Sequence, residues 1–567
     1  MALGAGFFFV LLSSILGLAG PRIFGWAIDA ISVTDDRHEL LPYIVLLLAV
    51  EGAAAIFIYY QRILLLGTSR KIDFDLRNDF FRHLLVLPFS FYNRQKTGDI
   101  MARATNDLEA VRMFIGPGLW NGVELMIILV IALPIMFTIS PRLTLYSLLP
   151  MAITPLIVMR ISPLLHNRFT AVQEQFASLS SHVQENLNGI RVLKSYTREK
   201  SVLGRFRGLN SDYVDRNMDL VRVYGSFFPL LMAIAGLGLG LVIWLGGREV
   251  IKGNITLGDM VAFTQYHALL TWPMIALGWV INLFERGTAS LERVNEIIDA
   301  EPEIRDEEGV LIDAQITRGE IEFRNLSFAY DETGDTILSD LSLRIPGGMT
   351  VGITGPTGSG KSTLLNLIPR LFQPERGMLF IDGFDVRDIP LETLRRSIGM
   401  VPQESFLFSE SIEENISFGT EQLDREASIS AAITSQLHEE ILEFPDGYRQ
   451  TVGERGVTLS GGQKQRLALS RAIIRDPRIL ILDDAFSSVD TNTEEAILEG
   501  LRDTLAERTS LIVSHRVSTL RDADMVIYIE NETITEMGTH QEMIDRGGRY
   551  ADMVNRQALI EELESLE

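Results

Sequence analysis

Six apolar stretches long enough to cross a bilayer interrupt the first 300 residues, and they limit what this chain can be. They cover residues 3–28, 41–60, 123–139, 143–159, 224–245 and 260–283. A bilayer core offers no water to backbone N–H and C=O groups, so each stretch must be a helix that satisfies itself. The third and fourth are short and separated only by SPRL, which predicts a tight hairpin. An even number of crossings returns the chain to its starting side. The long loops, residues 61–120 and 160–222, therefore share a side with the C-terminal half. They carry the basic clusters SRK, RVLK and TREK, while the opposite loops, such as SVTDDRHE and KGNITLGD, are short. Basic loop residues gather on the cytoplasmic face, so that side is the inner one. Both long loops have helical apolar spacing and no Gly/Pro punctuation until their ends, so helices should continue into the cytoplasm. The first stretch has no basic leader and a poor cleavage site, AGPRIFGWAID, and reads as a span rather than a signal peptide. The sequence starts almost inside it, so an interfacial helix ahead of it is expected.

Polar groups recur inside the apolar stretches: Glu51, Glu124, Gln265, His267 and Asn282. A carboxylate at bilayer depth is costly unless it faces a cavity or a partner. Two readings stay open for these groups, a pathway for a polar or cationic amphiphilic solute and helix–helix hydrogen bonds. Phe227, Phe228, Trp272, Trp279 and Met274 could line an adaptable pocket or face lipid. Pro273 should kink the last span.

Charge divides the chain near the same place. Residues 1–300 hold 26 Lys/Arg against 24 Asp/Glu, and residues 301–567 hold 25 against 50, within a total of −23. The acidic half reads as a soluble domain and argues against a nucleic-acid partner. The absence of cysteine excludes a disulfide framework and thiolate zinc sites. Residues 301–316 are polar and acidic and read as a linker, and from residue 317 strands and helices alternate as in an α/β domain. The expected organisation is 1–300, 301–316 and 317–567.

Three motifs carry chemistry in the second half. In VGITGPTGSGKSTLL an apolar strand ends at Thr354, and Gly355, Pro356, Thr357, Gly358, Ser359, Gly360, Lys361 and Ser362 fit G-x-x-x-x-G-K-[ST] ahead of a helix that includes Thr363. The glycines let backbone N–H groups turn toward phosphate oxygens, and the helix start adds partial positive charge. Lys361 would reach the β- and γ-phosphates and the Ser362 hydroxyl would ligate Mg2+. In RILILDD a short buried strand ends at Asp483, a carboxylate suited to holding Mg2+ at the phosphates. In LSGGQKQRLALSRAII, Ser460, Gly461, Gly462 and Gln463 open an amphipathic helix and form a second anion-ready start. One nucleotide seldom needs two such starts unless a second copy of the domain supplies one.

With LSGGQ about a hundred residues after the phosphate loop and just before the aspartate strand, the second half resembles the nucleotide-binding domain of ATP-binding cassette (ABC) transporters. The whole chain resembles a half-size exporter of that family. The expected fold is a membrane α-helical bundle of six transmembrane helices fused to an α/β P-loop nucleotide-binding domain. The resemblance implies a multi-pass protein of the bacterial inner or cell membrane, in contact with lipid, whose cytoplasmic cassette pairs with that of a second homologous half-transporter around ATP and Mg2+. It further implies that Tyr330 stacks on adenine, that Gln403 senses the γ-phosphate and Mg2+, and that His515 is the γ-phosphate switch. Ser460, Gly461, Gly462 and Gln463 would bind the ATP held by the partner's loop, and Asp490 would cross to the other cassette. TVGERG, KTGDIMAR (Lys96–Arg103) and ENLNGIRVLKSY (Glu185–Tyr196) match segments through which exporters join cassettes to inner loops.

The departure from the pattern is Asp484. The family usually has glutamate there, which orients the attacking water. Aspartate is one methylene shorter, so its carboxylate retreats by about 1.5 Å on an unchanged backbone. Errors of that order can lower a rate by about 10²-fold where geometry carries catalysis. This predicts slow hydrolysis at the site built on this chain's loop, as in one half of a heterodimeric exporter. The expected cargo is a hydrophobic or amphiphilic compound. A dedicated lipid or peptide exporter, or an ATP-gated channel or regulatory subunit, are the alternatives on the same fold.

Overall fold

The computed structural model describes residues 2–33, 37–307, 309–311, 314–330, 334–453 and 456–565. Glu454 and Arg455 of TVGERG lie outside the described residues. Contacts divide the chain into two units, one of residues 1–85 and 96–300, the other of residues 86–95 and 301–567.

The first unit holds six helices long and apolar enough to cross a membrane. They are α1 (Ala2–Val33), α2 (Leu41–Val86), α3 (Thr97–Ile139), α4 (Pro141–Asn188), α5 (Glu199–Ile251) and α6 (Leu257–Ile298). α2, α4 and α5 have 46, 48 and 53 residues. At 1.5 Å per residue they far exceed a hydrocarbon core of about 30 Å, so their polar ends continue beyond it. The α3–α4 hairpin turns on Ser140, whose extended backbone and Oγ cap the start of α4, with Pro141 in the first helical position. α3 is widened by π-turns at Arg103–Asp107 and Phe114–Gly118. The first of these presents Asp107 to α6, where it accepts hydrogen bonds from Ser290 Oγ (2.9 Å) and Arg293 (2.5 Å). Those bonds, with burial opposing them, hold the Asp107 carboxyl below its usual range.

α1 and α6 meet backbone to backbone. A Cβ on Gly258 would lie 2.0 Å from the Gly25 carbonyl, so only glycine permits the approach. Asp29 closes the joint by accepting from Gly258 N (2.7 Å) and Thr256 Oγ1 (2.6 Å). His267 turns into the helix interface: a Cβ on Gly238 of α5 would sit 2.6 Å from its ring, and its Nε2 lies 3.4 Å from the Ala235 carbonyl. For His267 the helix–helix reading holds.

The second unit carries two sheets. Strands β1 (Ile321–Phe328), β2 (Leu338–Ile345), β4 (Leu379–Ile381) and β5 (Phe384–Asp385) form an antiparallel sheet in the order β2-β1-β4-β5. The other sheet combines β3 (Thr350–Thr354), β6 (Ile398–Val401), β7 (Ile479–Asp483), β8 (Thr509–Val513), β9 (Met525–Glu530) and β10 (Thr533–Gly538) in the order β10-β9-β3-β8-β7-β6. β7 and β8 are buried along their whole length, which explains why they read as continuous apolar runs. The described residues of 301–316 pack within this unit. Ile304, Ala314 and Ile316 are buried, and Glu307 pairs with Arg376 and Arg387. Hydrogen bonds from Arg376 and Arg387 lower the Glu307 carboxyl to about 2.

Candidate active site

Four neighbouring parallel strands, β3, β8, β7 and β6, end along one edge of the larger sheet. Ligands of open α/β sheets bind outside such carboxyl ends. β3 runs into Gly355, β8 stops two residues before His515, β7 ends in Asp483, and β6 stops two residues before Gln403. Together with Tyr330 they enclose a cavity of about 330 Å3 lined also by Thr357–Thr363 and Asp484.

The loop after β3 has the backbone its glycines allow. Gly355 has φ +142°, and a Cβ there would lie 2.1 Å from the Ile529 carbonyl. Gly360 has φ +92° and would drive a Cβ to 2.7 Å from Leu338. Lys361 opens helix α7 (Lys361–Leu367) and is buried, its Nζ donating to the Gly355 (2.9 Å) and Pro356 (2.7 Å) carbonyls. Burial pushes its amine below the usual range, while Asp483 and Asp484 act in the opposite sense. Ser359 Oγ is buried and makes no hydrogen bond among the described residues. A phosphate oxygen would give Ser359 its acceptor and let Lys361 exchange neutral carbonyls for charge, so the loop fits a nucleotide. Asp483 is 4% exposed; burial pushes its carboxyl up, and the Ser362 hydroxyl donates to it. A hydroxyl beside a buried carboxylate is a hard-oxygen pair of the kind that suits Mg2+.

Tyr330 stands at the mouth. Its hydroxyl hydrogen-bonds Thr363 Oγ1 at 2.7 Å, either oxygen being able to donate, and its ring meets Phe372 edge to face at 4.8 Å. Phe372 also meets Phe89 at 5.7 Å, within residues 86–95 that pack with this unit. The Lys96–Arg103 stretch, by contrast, belongs to the first unit, where Arg103 pairs with Glu296 of α6 at 2.8 Å.

Asp484 has φ +50°, a left-handed conformation that aspartate tolerates better than most side chains. Its N–H donates to the Val513 carbonyl at 3.1 Å, which fixes it between β7 and β8.

Ser460, Gly461, Gly462 and Gln463 do not line this cavity. They begin helix α8 (Gly461–Ile473) with a capping box: Ser460 Oγ accepts from Gln463 N at 3.2 Å and Gln463 Oε1 accepts from Ser460 N at 2.9 Å. The glycines are forced by packing, since a Cβ on Gly462 would lie 2.9 Å from the Ser488 carbonyl. Asp490 caps its own helix α9 (Thr491–Ala506), accepting from Thr493 N at 2.9 Å.

Two positioning groups escape sequence reasoning. Gln465 donates to Ser487 Oγ (2.8 Å) and accepts from Ser488 N (2.9 Å), tying α8 to the turn after Asp484. Arg516, next to His515, donates to the Val489 carbonyl (2.9 Å) and pairs with the wholly buried Glu494, which also accepts from Thr519. For Gln465 the available signal is a polar residue on the inward face of an amphipathic helix, which names no partner.

A phosphate loop on such a sheet, in one chain with six membrane-length helices, defines a membrane-bound nucleoside triphosphatase. Residues 3–274 match the ABC transporter transmembrane region and residues 338–487 match the ABC transporter family. The chain belongs to the ATP-binding cassette transporters, as a half-size exporter. It is 37% identical over 554 residues to the ABC transporter ATP-binding protein YknU of Bacillus subtilis, covering 97% of this chain and 94% of that protein. It is 35% identical over 555 residues to the multidrug resistance-like ATP-binding protein MdlA of Escherichia coli, covering 97% and 93%. A solved bacterial Atm1-family ABC exporter with ATP bound has a TM-score of 0.80 at 26% identity over 98% of both chains. The protein is thus an integral membrane ATPase coupled to transport, with its ATP-binding domain in the cytoplasm.

Proposed function

We propose that this chain is the slow-site subunit of a heterodimeric exporter that moves hydrophobic or amphiphilic compounds out across the membrane. Gly355 to Thr363 wrap the phosphates of ATP, Lys361 meets the β- and γ-phosphates, and Tyr330 stacks on adenine. Ser362, Gln403 and Asp483 hold Mg2+, which offsets phosphate charge when bound. His515 reads the γ-phosphate. Ser460, Gly461, Gly462 and Gln463 complete the ATP site of the second chain, whose own glutamate turns that nucleotide over.

The observation that supports this most is Asp484. It lines the same cavity as Asp483 and His515, on a left-handed backbone, and it is one methylene shorter than the usual base. The phosphate loop and the signature start keep their geometry, so binding is retained while water activation is weakened. The multidrug resistance-like name of the Escherichia coli relative supports the compound class. The test is isolation from the native membrane. A second, homologous half-transporter with glutamate after its strand aspartate should co-purify. A homodimer whose turnover Asp484→Asn abolishes would overturn the proposal.

A further inference from the structure

The first unit contains a cavity of about 810 Å3 enclosed by α1, α2, α3 and α6. Its wall is mainly apolar, yet Glu51 and Glu124 both line it, and no Lys, Arg or His does. Glu51 lies ten residues into α2, about 15 Å along the helix. It makes no hydrogen bond or ion pair among the described residues. Gly20 of α1 makes room for it, since a Cβ there would lie 2.7 Å from Glu51 Oε1. Glu124 has Arg62 as a nearby cation, and that guanidinium lies 5.7 Å over the Trp120 ring, away from the cavity wall.

The remaining polar groups are neutral, with Gln265 offering an amide donor as well as an acceptor. Asn121 commits its amide N–H to the Pro117 carbonyl at 2.6 Å, which leaves its oxygen. Pro21 and Pro273 carry no N–H, so the carbonyls four residues earlier, Gly17 and Leu269, lack their helical donor. Both Gly17 and Leu269 line the cavity. Trp272 adds an aromatic face.

From two carboxylates and no cationic side chain around apolar walls we infer that the cavity binds an organic cation with an apolar body, with Glu51 as its main counter-charge and Glu124 as a lesser one. The inference rests on the export reading and names the charge class of its cargo. A carboxylate without a partner, set at bilayer depth beside apolar walls, attracts a cation more strongly than one in bulk water. The Trp272 ring favours a delocalised or quaternary cation over a strongly hydrated one.

The test uses the assembled transporter in nanodiscs and three probes of similar shape: tetraphenylphosphonium, tetraphenylborate and neutral triphenylphosphine oxide. Tetraphenylphosphonium should bind at least about tenfold more tightly than the neutral probe. Glu51→Gln should lower that ratio about tenfold, and Glu124→Gln by less. If Glu51→Gln fails to assemble, Gly20→Ala, which displaces the carboxylate without removing it, should lower the same ratio. Equal binding of phosphonium and borate, or a ratio unmoved by Glu51→Gln and Gly20→Ala, overturns the inference. ATP-driven uptake of the three probes into inverted vesicles separates the two readings. Uptake of the neutral probe with no charge preference in binding sinks the cation site and leaves export standing. A charge-dependent ratio without ATP-driven uptake of any probe supports the site and counts against export.

Discussion

The phosphate loop and the signature helix start, the two faces assigned to nucleotide in the proposal, are built by different means. The phosphate-loop face draws on four strand ends, and its glycines are required by left-handed backbone and close carbonyl approach at Gly355 and Gly360. The signature face is one helix start, and its glycines are required by the Ser488 backbone packed against Gly462. In the proposed assignment the two faces differ at the chemical step, because only the first would contain the water-activating position, where Asp484 stands. On the proposed reading, a change placed so narrowly would separate holding ATP from cleaving it.

The largest effect is expected from Gly462→Asp. A side chain there meets the Ser488 carbonyl and puts negative charge where phosphate should lie. ATPase activity of the assembled transporter should fall on the order of 10²-fold, while photolabelling of this chain's own loop by azido-ATP persists. Lys361→Ala acts on the other face. It should weaken photolabelling of this chain about tenfold, as expected for a lost charge-assisted contact to phosphate, and reduce overall turnover less than Gly462→Asp does.

Gln465→Ala tests the bridge between the faces. It removes two hydrogen bonds to Ser487 and Ser488. With each worth about 1 kcal/mol, a loss of turnover of up to about 30-fold with unchanged photolabelling is expected. The smallest effect concerns residues 301–316. Glu307 has its carboxyl lowered from the usual 4.5 to about 2 by Arg376 and Arg387. Its contribution is therefore fully present above about pH 4.5 and lost as pH falls toward 2. Hydrogen exchange in residues 301–316 should rise across that window, and Glu307→Gln should remove the pH dependence.

Much of this was legible in the sequence because it is written in local rules. Apolar length marks a span, and glycine spacing marks a backbone that must bend inward around phosphate. Gln403, the Asp483–Asp484 pair and His515 come from separate segments, yet parallel strand ends of the larger sheet gather them at one cavity, which Tyr330 joins from beyond β1 of the other sheet. What stayed hidden depends on partners distant in sequence. Gln465 has meaning only beside Ser487 and Ser488, and Arg516 only beside Glu494. Glu51 and Gly20 are 31 positions apart, and the carboxylate's place is visible only once α1 and α2 pack. Residues 301–316 look like a free connector because a short acidic run gives no sign of the arginines at 376 and 387 that receive it.

The most direct measurement is turnover of the assembled transporter with one water-activating acid removed at a time. Asp484→Asn should leave ATPase activity within about twofold, while replacing the second chain's glutamate by glutamine should lower it by about 10²-fold or more. Comparable losses from the two changes would contradict the asymmetric assignment of the sites.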